Sequence, residues 1–330
     1  MFGVVNLIFR ALVKFVYRFH SRRGQRSATK PEDSRVKIPG RPFSTTFWTK
    51  SMEDRYLTEP RVTRDLAVLL AVYGKDDPVR FFEVFDSIRS QTVGFNRIGV
   101  YLGIDGPLPP ELRGAVDAIV SQCVAVVESP FNRGLAKTLN DLVNRLGPEE
   151  YIFRVDADDA NAPTRFAIQL SALEQDPSVG VIGGAVQERY PDGFIKIRSL
   201  PTNHAVLMER LPLGVPVLHP TVCFRRMVLA NAEPKPYPED VGPNEDVGLW
   251  FRLAERGIQF ANVQDVLVHS EIDGAFFTRR SVQKSKNEFR VYNAGLRRLG
   301  FRLPWRFLPV LRLVFRFFPA RFARHIYRRR

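Results

Sequence analysis

Strongly apolar runs alternate with amphipathic stretches between residues 65 and 156, and this alternation constrains the fold more than any other feature of the sequence. Each apolar run has the length of a strand buried on both faces, and each amphipathic stretch has apolar residues at helical spacing. The segments follow one another at 66–73, 79–91, 97–104, 110–122, 123–127, 132–146 and 151–155. Such alternation predicts an α/β fold with a mostly parallel sheet and helices on both faces.

The pattern is looser beyond residue 160. We predict a strand over 179–186, a short strand over 221–224 and a helix over 244–256. The first of these strands contains Gly183-Gly184, and glycine inside a strand indicates that another group approaches the backbone closely. These later segments would add to the sheet without repeating the regular alternation.

An acidic tetrapeptide, Asp156-Ala157-Asp158-Asp159, directly follows the fourth apolar run. In parallel sheets ligands bind at the carboxyl ends of the strands, and Asp105 follows the second predicted strand on the same edge. Neighbouring carboxylates repel one another unless a cation lies between them, and Mg²⁺ or Mn²⁺ prefers oxygen ligands. A solvated acidic turn is the alternative. The position after a buried strand favours the metal site.

No Gly-rich phosphate-binding loop is present, because the chain has neither a Walker A sequence nor a Gly-x-Gly-x-x-Gly motif. A bound diphosphate would therefore be neutralised by a metal ion and by basic side chains. Arg279-Arg280 could hold phosphates, or could simply be solvated. His219, in the sequence His-Pro-Thr, and His269 could each bind a metal or a phosphate, and the alternative for each is a structural histidine.

Two further acids, Glu245-Asp246, lie at the start of the helix predicted over 244–256. A carboxylate placed there could accept the proton that an attacking hydroxyl loses, which accelerates such reactions by roughly a hundred- to ten-thousand-fold. The alternative is that both acids only stabilise the helix N-terminus, where negative charge is favourable.

Taken in order, these motifs resemble those of the family 2 glycosyltransferases, which have the Rossmann-like GT-A fold. The resemblance covers roughly residues 65–285, and the stretch that begins at Asp105-Gly106-Pro107 is similar to the subgroup of amylovoran-type exopolysaccharide glycosyltransferases. Each motif alone is weak, whereas the whole series in one order is specific. The motifs lie at 70–73, 87–92, 105–107, 132–140, 154–159, 183–184, 219–221, 244–246 and 249–250.

The resemblance implies a metal-dependent transfer of a sugar from a nucleotide diphosphate donor, with inversion at the anomeric carbon. Asp105 would hydrogen-bond the base, a uracil, and Tyr73 would lie beside it. Many members have a second Asp before this position, where the present chain has Ile104, so base recognition would depend on one carboxylate. The predicted sets are Asp246 and Glu245 for catalysis; Tyr73, Asp105, Asn132, Lys137 and Asp156 for the donor; Asp156, Asp158 and His269 for the metal; and Gly183, Gly184, His219, Arg279 and Arg280 for the acceptor and other contacts.

Charge is concentrated at the two ends of the chain. Residues 1–30 carry seven basic residues and residues 289–330 carry twelve arginines, in both cases without an acid. The chain as a whole has a net charge of +14, so residues 31–288 between these ends have a net charge of −5. This distribution argues against a nucleic-acid enzyme, whose positive charge would line its cleft. Basic amphipathic helices at both ends instead favour an anionic membrane surface, and the alternative for the C-terminal helix is that it packs on the enzyme with its basic face solvated.

We therefore predict three regions: a basic N-terminal segment and linker over 1–60, a catalytic domain over 61–288 and an Arg-rich tail over 289–330. No run of apolar residues is long enough for a transmembrane helix, so the protein would lie peripherally on the cytoplasmic face of a bacterial membrane, with a lipid-linked saccharide as acceptor. Two alternatives stay open: a non-catalytic membrane- or polyanion-binding protein on the same fold, and a nucleotidyltransferase. A nucleotidyltransferase would normally have a Gly-rich loop where this chain has Gly74-Lys75-Asp76-Asp77.

Overall fold

The computed structural model describes residues 64–230, 235–272 and 282–311. The predicted N-terminal segment, the Arg279-Arg280 pair and the tail beyond residue 311 lie outside these ranges, and the predicted division into three regions stays a prediction. Within the described ranges, none of the helices has the length and apolarity that crossing a membrane requires.

Strands and helices alternate along the first half of the described chain in the predicted order. The strands are β1 (Leu66–Tyr73), β2 (Ile98–Asp105), β3 (Ala125–Ser129), β4 (Tyr151–Asp156), β5 (Asp159–Asn161), β6 (Val179–Arg189), β7 (Ile195–Arg198), β8 (Cys223–Arg225) and β9 (Gln259–Glu271). The helices are α1 (Pro78–Arg89), α2 (Pro110–Val120), α3 (Leu135–Val143), α4 (Arg165–Gln175), α5 (His204–Arg210), α6 (Arg226–Ala230), α7 (Glu245–Glu255), α8 (Val282–Arg298) and α9 (Leu303–Arg306).

All of these strands belong to one sheet, in the order β3-β2-β1-β4-β8-β6-β9-β5, with β7 paired to β6. The strands β3, β2, β1 and β4 are parallel, as are β6 and β9, whereas β8 runs antiparallel between β4 and β6. The predicted mostly parallel sheet is therefore confirmed. The carboxyl ends of β1, β2 and β4 meet at one edge, because these strands are neighbours and parallel.

Two apolar layers cover the sheet, one on each face. On one face α1, α2 and α4 pack over residues that include Phe153, and on the other α3 and α7 pack over residues that include Ile152. Helices on both faces confirm the predicted fold class. Because successive strand residues point to opposite faces, Arg154 and Asp156 lie on the same side as Ile152, which is the side where α7 packs.

Two predicted boundaries differ from those in the structure, and both lie next to loops of the candidate site. Helix α3 begins at Leu135 rather than at residue 132, because Gly134 has φ of 91° and the backbone N–H groups before the helix bind Asp105. The acidic tetrapeptide is not a single turn. Asp159 is the first residue of β5, where it pairs with Ser270 of β9.

Alanine at Gly295 should weaken the contact between α7 and α8. A Cβ at this position would lie 2.2 Å from ring atoms of Phe251, which packs edge-on against Tyr292 with ring centroids 5.3 Å apart. Overpacking typically costs about 1–3 kcal/mol, so we expect the free energy of unfolding of Gly295→Ala, measured by urea titration, to fall by that amount. The control is Gly114→Ala in α2, where nothing lies within 4 Å of the added Cβ. This change should stabilise the protein by about 0.5–1 kcal/mol, and a similar loss in both variants would contradict the packing argument.

Candidate active site

Polar side chains converge at the carboxyl ends of β1, β2 and β4. Across neighbouring strands Tyr73 is in register with Asp105, and Ala71 is in register with Asp156. Asp158 follows in the turn after β4. The predicted donor and metal residues therefore share one edge of the sheet, which is where ligands bind in folds of this kind.

Asp156 is ion-paired with Arg154, the residue two positions before it on the same face of β4. Both terminal guanidinium nitrogens of Arg154 donate to the carboxylate oxygens of Asp156. The Arg154 side chain is only 4% exposed, whereas that of Asp156 is 25% exposed. Asp156 therefore already has a bidentate partner, and its predicted contacts with the ribose and the metal stay predictions.

The other two acids of the tetrapeptide lie in very different surroundings. Partial desolvation raises the pKa of the Asp158 carboxyl, and the negative charge of Asp156 raises it further, although the residue is exposed to solvent. Asp159 is buried, and burial together with the charges of Asp156 and Asp158 raises its pKa to about 7. Arg154 offsets only part of this crowding of negative charge.

Asp76 is a fourth carboxylate in this cluster, and the sequence analysis did not identify it as a site residue. Its Oδ2 accepts a hydrogen bond from the backbone N–H of Tyr73 at 2.9 Å, which turns the carboxyl back over the end of β1. Desolvation raises its pKa to about 7, and the charges of Asp158 and Asp156 contribute to the rise. The available signal was its position in the turn after the first buried strand, since such turns form the ligand edge of the sheet.

A cleft beside Asp158 is also lined by His269, Arg80 and Arg189. His269 reaches this position because β5 pairs with β9, which places Ala160 opposite His269. Within residues 64–230, 235–272 and 282–311, no group of three or more His, Cys, Asp or Glu side chains is arranged to hold a metal ion. A divalent cation still fits next to the Asp158 carboxylate, because Mg²⁺ commonly binds through one or two protein ligands and completes its shell with phosphates and water.

The predicted base-binding residue Asp105 holds the loop that precedes α3. Its two carboxylate oxygens accept hydrogen bonds from the backbone N–H groups of Arg133 at 2.7 Å and Gly134 at 2.9 Å. Asn132 donates from Nδ2 to the backbone oxygen of Asp105 at 3.2 Å. Tyr73 and Asn132 are exposed at the same edge, whereas Asp105 is buried. The structure brings these residues together, and base recognition by Asp105 would use its remaining lone pairs.

Tyr237 is a buried tyrosine near both the acidic tetrapeptide and the predicted catalytic acids. Burial raises the pKa of its hydroxyl, and three carboxylates raise it further, namely Glu245, Asp246 and Asp156. The positive charge of Arg154 acts in the opposite direction. Glu245 and Asp246 occupy the first turn of α7 and are partly exposed. The acids at the end of β4 and at the start of α7 therefore lie within electrostatic reach of one buried hydroxyl.

His219 is buried in this region, with Nε2 3.2 Å from the hydroxyl oxygen of Tyr237. Burial, reinforced by the positive charge of Arg154, holds the pKa of His219 well below its usual value, so the imidazole is neutral. The close approach predicted at Gly183-Gly184 comes from the protein itself, because a Cβ at Gly184 would lie 2.3 Å from Cδ1 of Leu267. Acceptor contacts of His219 and of both glycines stay predictions.

Comparison with known proteins agrees with this geometry. The family described as "Glycosyl transferase family 2" matches residues 68–231. An "Uncharacterized glycosyltransferase" of Haemophilus influenzae is 30% identical over 267 residues, which span 79% of this chain and 97% of the relative. This chain belongs to glycosyltransferase family 2.

Two further relatives of this family 2 glycosyltransferase have more specific names. The amylovoran biosynthesis glycosyltransferase AmsE of Erwinia amylovora is 29% identical, with 71% of this chain and 88% of the relative covered, which confirms the predicted similarity to the amylovoran-type subgroup. The UDP-Gal:alpha-D-GlcNAc-diphosphoundecaprenol beta-1,3-galactosyltransferase of Escherichia coli is 25% identical, with 71% of this chain and 85% of the relative covered.

Structural similarity confirms the GT-A fold of the family 2 glycosyltransferase. The mannosyltransferase PcManGT of Pyrobaculum calidifontis, solved in complex with GDP-Man and Mn²⁺, superposes with a TM-score of 0.56 at 15% sequence identity. The match covers 80% of this chain and 79% of that structure. Roles of individual residues do not follow from such a distant relationship, so the predicted site residues, including Lys137 on α3, keep their predicted roles.

Proposed function

We propose that this family 2 glycosyltransferase transfers a sugar from a nucleotide diphosphate donor, a UDP-sugar, to a hydroxyl of a saccharide acceptor in bacterial surface polysaccharide synthesis. One observation carries the proposal. Asp156, at the end of β4, and the Glu245-Asp246 pair, at the start of α7, lie on the same face of the sheet and within electrostatic reach of Tyr237. A donor site and a proton acceptor can therefore meet at one point of the ligand edge.

Asp158 is the residue that we assign to the divalent cation, with His269 as the second ligand from the same cleft. The carboxylate of Asp158 is exposed and surrounded by other acids, which favours a bound Mg²⁺ or Mn²⁺ over a free carboxylate. A bound cation would neutralise the negative charge of the departing diphosphate. Arg189 lines the same cleft and can contribute positive charge there, whereas the charge of Arg80 is already paired with Glu271.

Asp246 is the proposed general base, with Glu245 beside it. The acceptor oxygen attacks the anomeric carbon on the side opposite the diphosphate, and the bond between that carbon and the diphosphate oxygen breaks. Asp246 takes the proton from the acceptor hydroxyl, and the electron pair leaves with the diphosphate. One displacement of this kind inverts the anomeric configuration.

The nucleotide would lie between the ends of β1 and β2. The exposed ring of Tyr73 would lie beside the base, and Asn132 and the partly buried Lys137 border the loop that Asp105 holds in place. Asp156, held by Arg154 in a bidentate contact, would meet the ribose.

A lipid-linked acceptor fits the charge and surface of the C-terminal part of the chain. The Escherichia coli relative is named for an acceptor on diphosphoundecaprenol. In the present chain Leu303, Phe307 and Val310 are 62%, 55% and 39% exposed, and they follow one another at helical spacing. No acid occurs after Glu288, whereas residues 289–330 hold twelve arginines. Exposed apolar residues in an Arg-rich stretch of the sequence suit an anionic membrane, so we place the enzyme peripherally on the cytoplasmic face.

Replacing these apolar residues should weaken binding to anionic vesicles. The variant combines Leu303→Ser, Phe307→Ser and Val310→Ser in the full chain. We expect its cosedimentation with phosphatidylglycerol vesicles to fall by about tenfold or more, because full burial of each apolar side chain in lipid contributes up to about 1.5–3 kcal/mol. Ile195→Ser combined with Ile197→Ser is the matched control, since both isoleucines are exposed on β7, outside this surface. Equal binding of the two variants would end the membrane assignment.

A thermal-shift screen of nucleotide sugars tests the proposed function directly. A ligand that binds only the folded state raises the melting temperature, so we expect one nucleotide class, UDP-sugars, to stabilise the protein more with Mn²⁺ present than without it. Purified enzyme should then release UDP slowly from that donor. A nucleotidyltransferase would instead be stabilised by nucleoside triphosphates and release diphosphate, and a non-catalytic binding protein would release nothing.

A further inference from the structure

Arg154 is a buried arginine in the central strand β4, two residues before Asp156. Its backbone is fixed on both sides: the N–H donates to the carbonyl oxygen of Val222 at 3.1 Å, and its own carbonyl accepts from Nη2 of Arg165 at 3.0 Å. Its side chain rises on the face where α7 packs, and both terminal nitrogens contact the carboxylate of Asp156. Neither partner can move without breaking this bidentate contact.

The contact compensates the buried charge of Arg154 and fixes the orientation of Asp156. A guanidinium group that is removed from water is strongly destabilising unless it is paired and hydrogen-bonded. Nε of Arg154 is buried without a hydrogen-bond partner among the described residues, so the charge of Arg154 is compensated mainly by Asp156. The planar fork of arginine matches both oxygens of a carboxylate, which fixes the orientation of Asp156 as well as its charge.

Asp158 differs from Asp156 in this respect. Within the described ranges it forms no ion pair, and it lies on the cleft that His269 also lines. The two carboxylates of the motif are therefore not equivalent. Asp156 is neutralised by Arg154, whereas Asp158 faces the cleft.

We propose that Arg154 is a positioning residue that separates the roles of the two carboxylates, by neutralising and orienting Asp156 so that Asp158, and not Asp156, takes the divalent cation. This inference rests on the proposed metal-dependent function. Without Arg154, Asp156 would be free to compete for the cation, and it would no longer be held toward the donor side of the site.

A purely structural role is the alternative, and a second, partly buried arginine shows what that looks like. Arg225 on β8 directs its guanidinium mainly to backbone oxygens, donating from Nε to Val179 at 2.9 Å and from Nη2 to Leu173 at 2.6 Å, with the exposed Glu150 3.7 Å from Nη1. Arg225 therefore connects β8 to β6 and to α4. In Arg154, by contrast, both terminal nitrogens bind one carboxylate of the site. Replacing either arginine should destabilise the protein, but only replacement of Arg154 should change cation binding.

Mn²⁺ binding measured by electron paramagnetic resonance, with and without UDP, tests the inference on the full chain. We expect Arg154→Met to bind Mn²⁺ about tenfold more tightly than the wild type, because a positive charge next to two carboxylates is removed. Sugar transfer should nevertheless fall, since Asp156 is released. Arg154→Lys, which keeps the charge but not the fork, should retain wild-type Mn²⁺ affinity with reduced transfer, and Arg225→Met should leave Mn²⁺ affinity unchanged.

Double substitution gives the sharpest outcome. Asp156→Asn alone leaves the charge of Arg154 uncompensated and should weaken Mn²⁺ binding, whereas the double variant Arg154→Met/Asp156→Asn removes both charges of the pair and should bind Mn²⁺ as the wild type does. Folding of each variant is checked by circular dichroism. Unchanged or weaker Mn²⁺ binding in folded Arg154→Met, or loss of binding in the folded double variant, would overturn the inference and leave the proposed function standing. A wild-type protein that binds no Mn²⁺, even with UDP, would overturn both.

Discussion

Asp158→Asn should lower kcat/KM for sugar transfer by at least about a thousandfold, which corresponds to about 4 kcal/mol of lost transition-state stabilisation. The substitution keeps the shape of the side chain and removes the charge that would hold the cation. Because the cation would neutralise the departing diphosphate, its loss should affect the chemical step as well as donor binding. Transfer of labelled sugar at several Mn²⁺ concentrations measures this effect.

The melting temperature of Asp158→Asn shows whether a loss of transfer comes from lost cation binding or from unfolding. The raised pKa of Asp158 means that its ionised form is disfavoured in the folded protein, so neutral asparagine should leave the melting temperature unchanged or raise it slightly. Asp117→Asn is a matched control, because Asp117 is exposed on α2 on another part of the surface. Near-normal transfer by Asp158→Asn, or a large drop in its melting temperature, would refute the role assigned to this residue.

Asp246→Asn should reduce kcat by about a hundred- to ten-thousandfold while the donor still binds with normal affinity. The reason is that Asp246 would act on the acceptor hydroxyl and would not hold the nucleotide. Thermal shift with UDP and Mn²⁺ should therefore match the wild type, and only transfer should be lost. This combination is the opposite of the result expected for Asp158→Asn, in which the response to Mn²⁺ disappears as well.

Glu255→Gln is the control for this second prediction, since Glu255 ends the same helix and pairs with Arg298 at 2.7 Å, away from the site. We expect it to retain transfer. Glu245→Gln should have a smaller effect than Asp246→Asn if Glu245 only neighbours the base. An Asp246→Asn enzyme with kcat within threefold of the wild type would rule Asp246 out as the base.

Local periodicity was sufficient for the first half of the fold. The run 66–73 became β1 with the predicted bounds, and the following strands and helices came in the predicted order. Periodicity succeeds here because each element of an α/β sheet must bury its own apolar face. It was weaker for α3, where the start depends on hydrogen bonds from Asp105, a residue in the preceding strand.

Other features depend on contacts between distant segments. The antiparallel insertion of β8 between β4 and β6, and the pairing of β5 with β9, leave no local periodic signal. Asp76 joins the acidic cluster only because the end of β1 lies beside the end of β4 in the sheet. A residue type and a spacing do not reveal such neighbours.

The sequence by itself determined the class of fold, the edge of the sheet that carries the site and the candidate acids, because strand alternation and strand ends are local properties. Tertiary structure alone decided which of those acids are neutralised, buried or facing a cleft. Asp156, Asp158 and Asp159 are chemically identical and lie within four positions of the chain, yet one pairs with Arg154, one faces the cleft and one is buried in β5. Solvation and charge pairing depend on the residues that surround a group in space, and these come from strands and helices far apart in the chain.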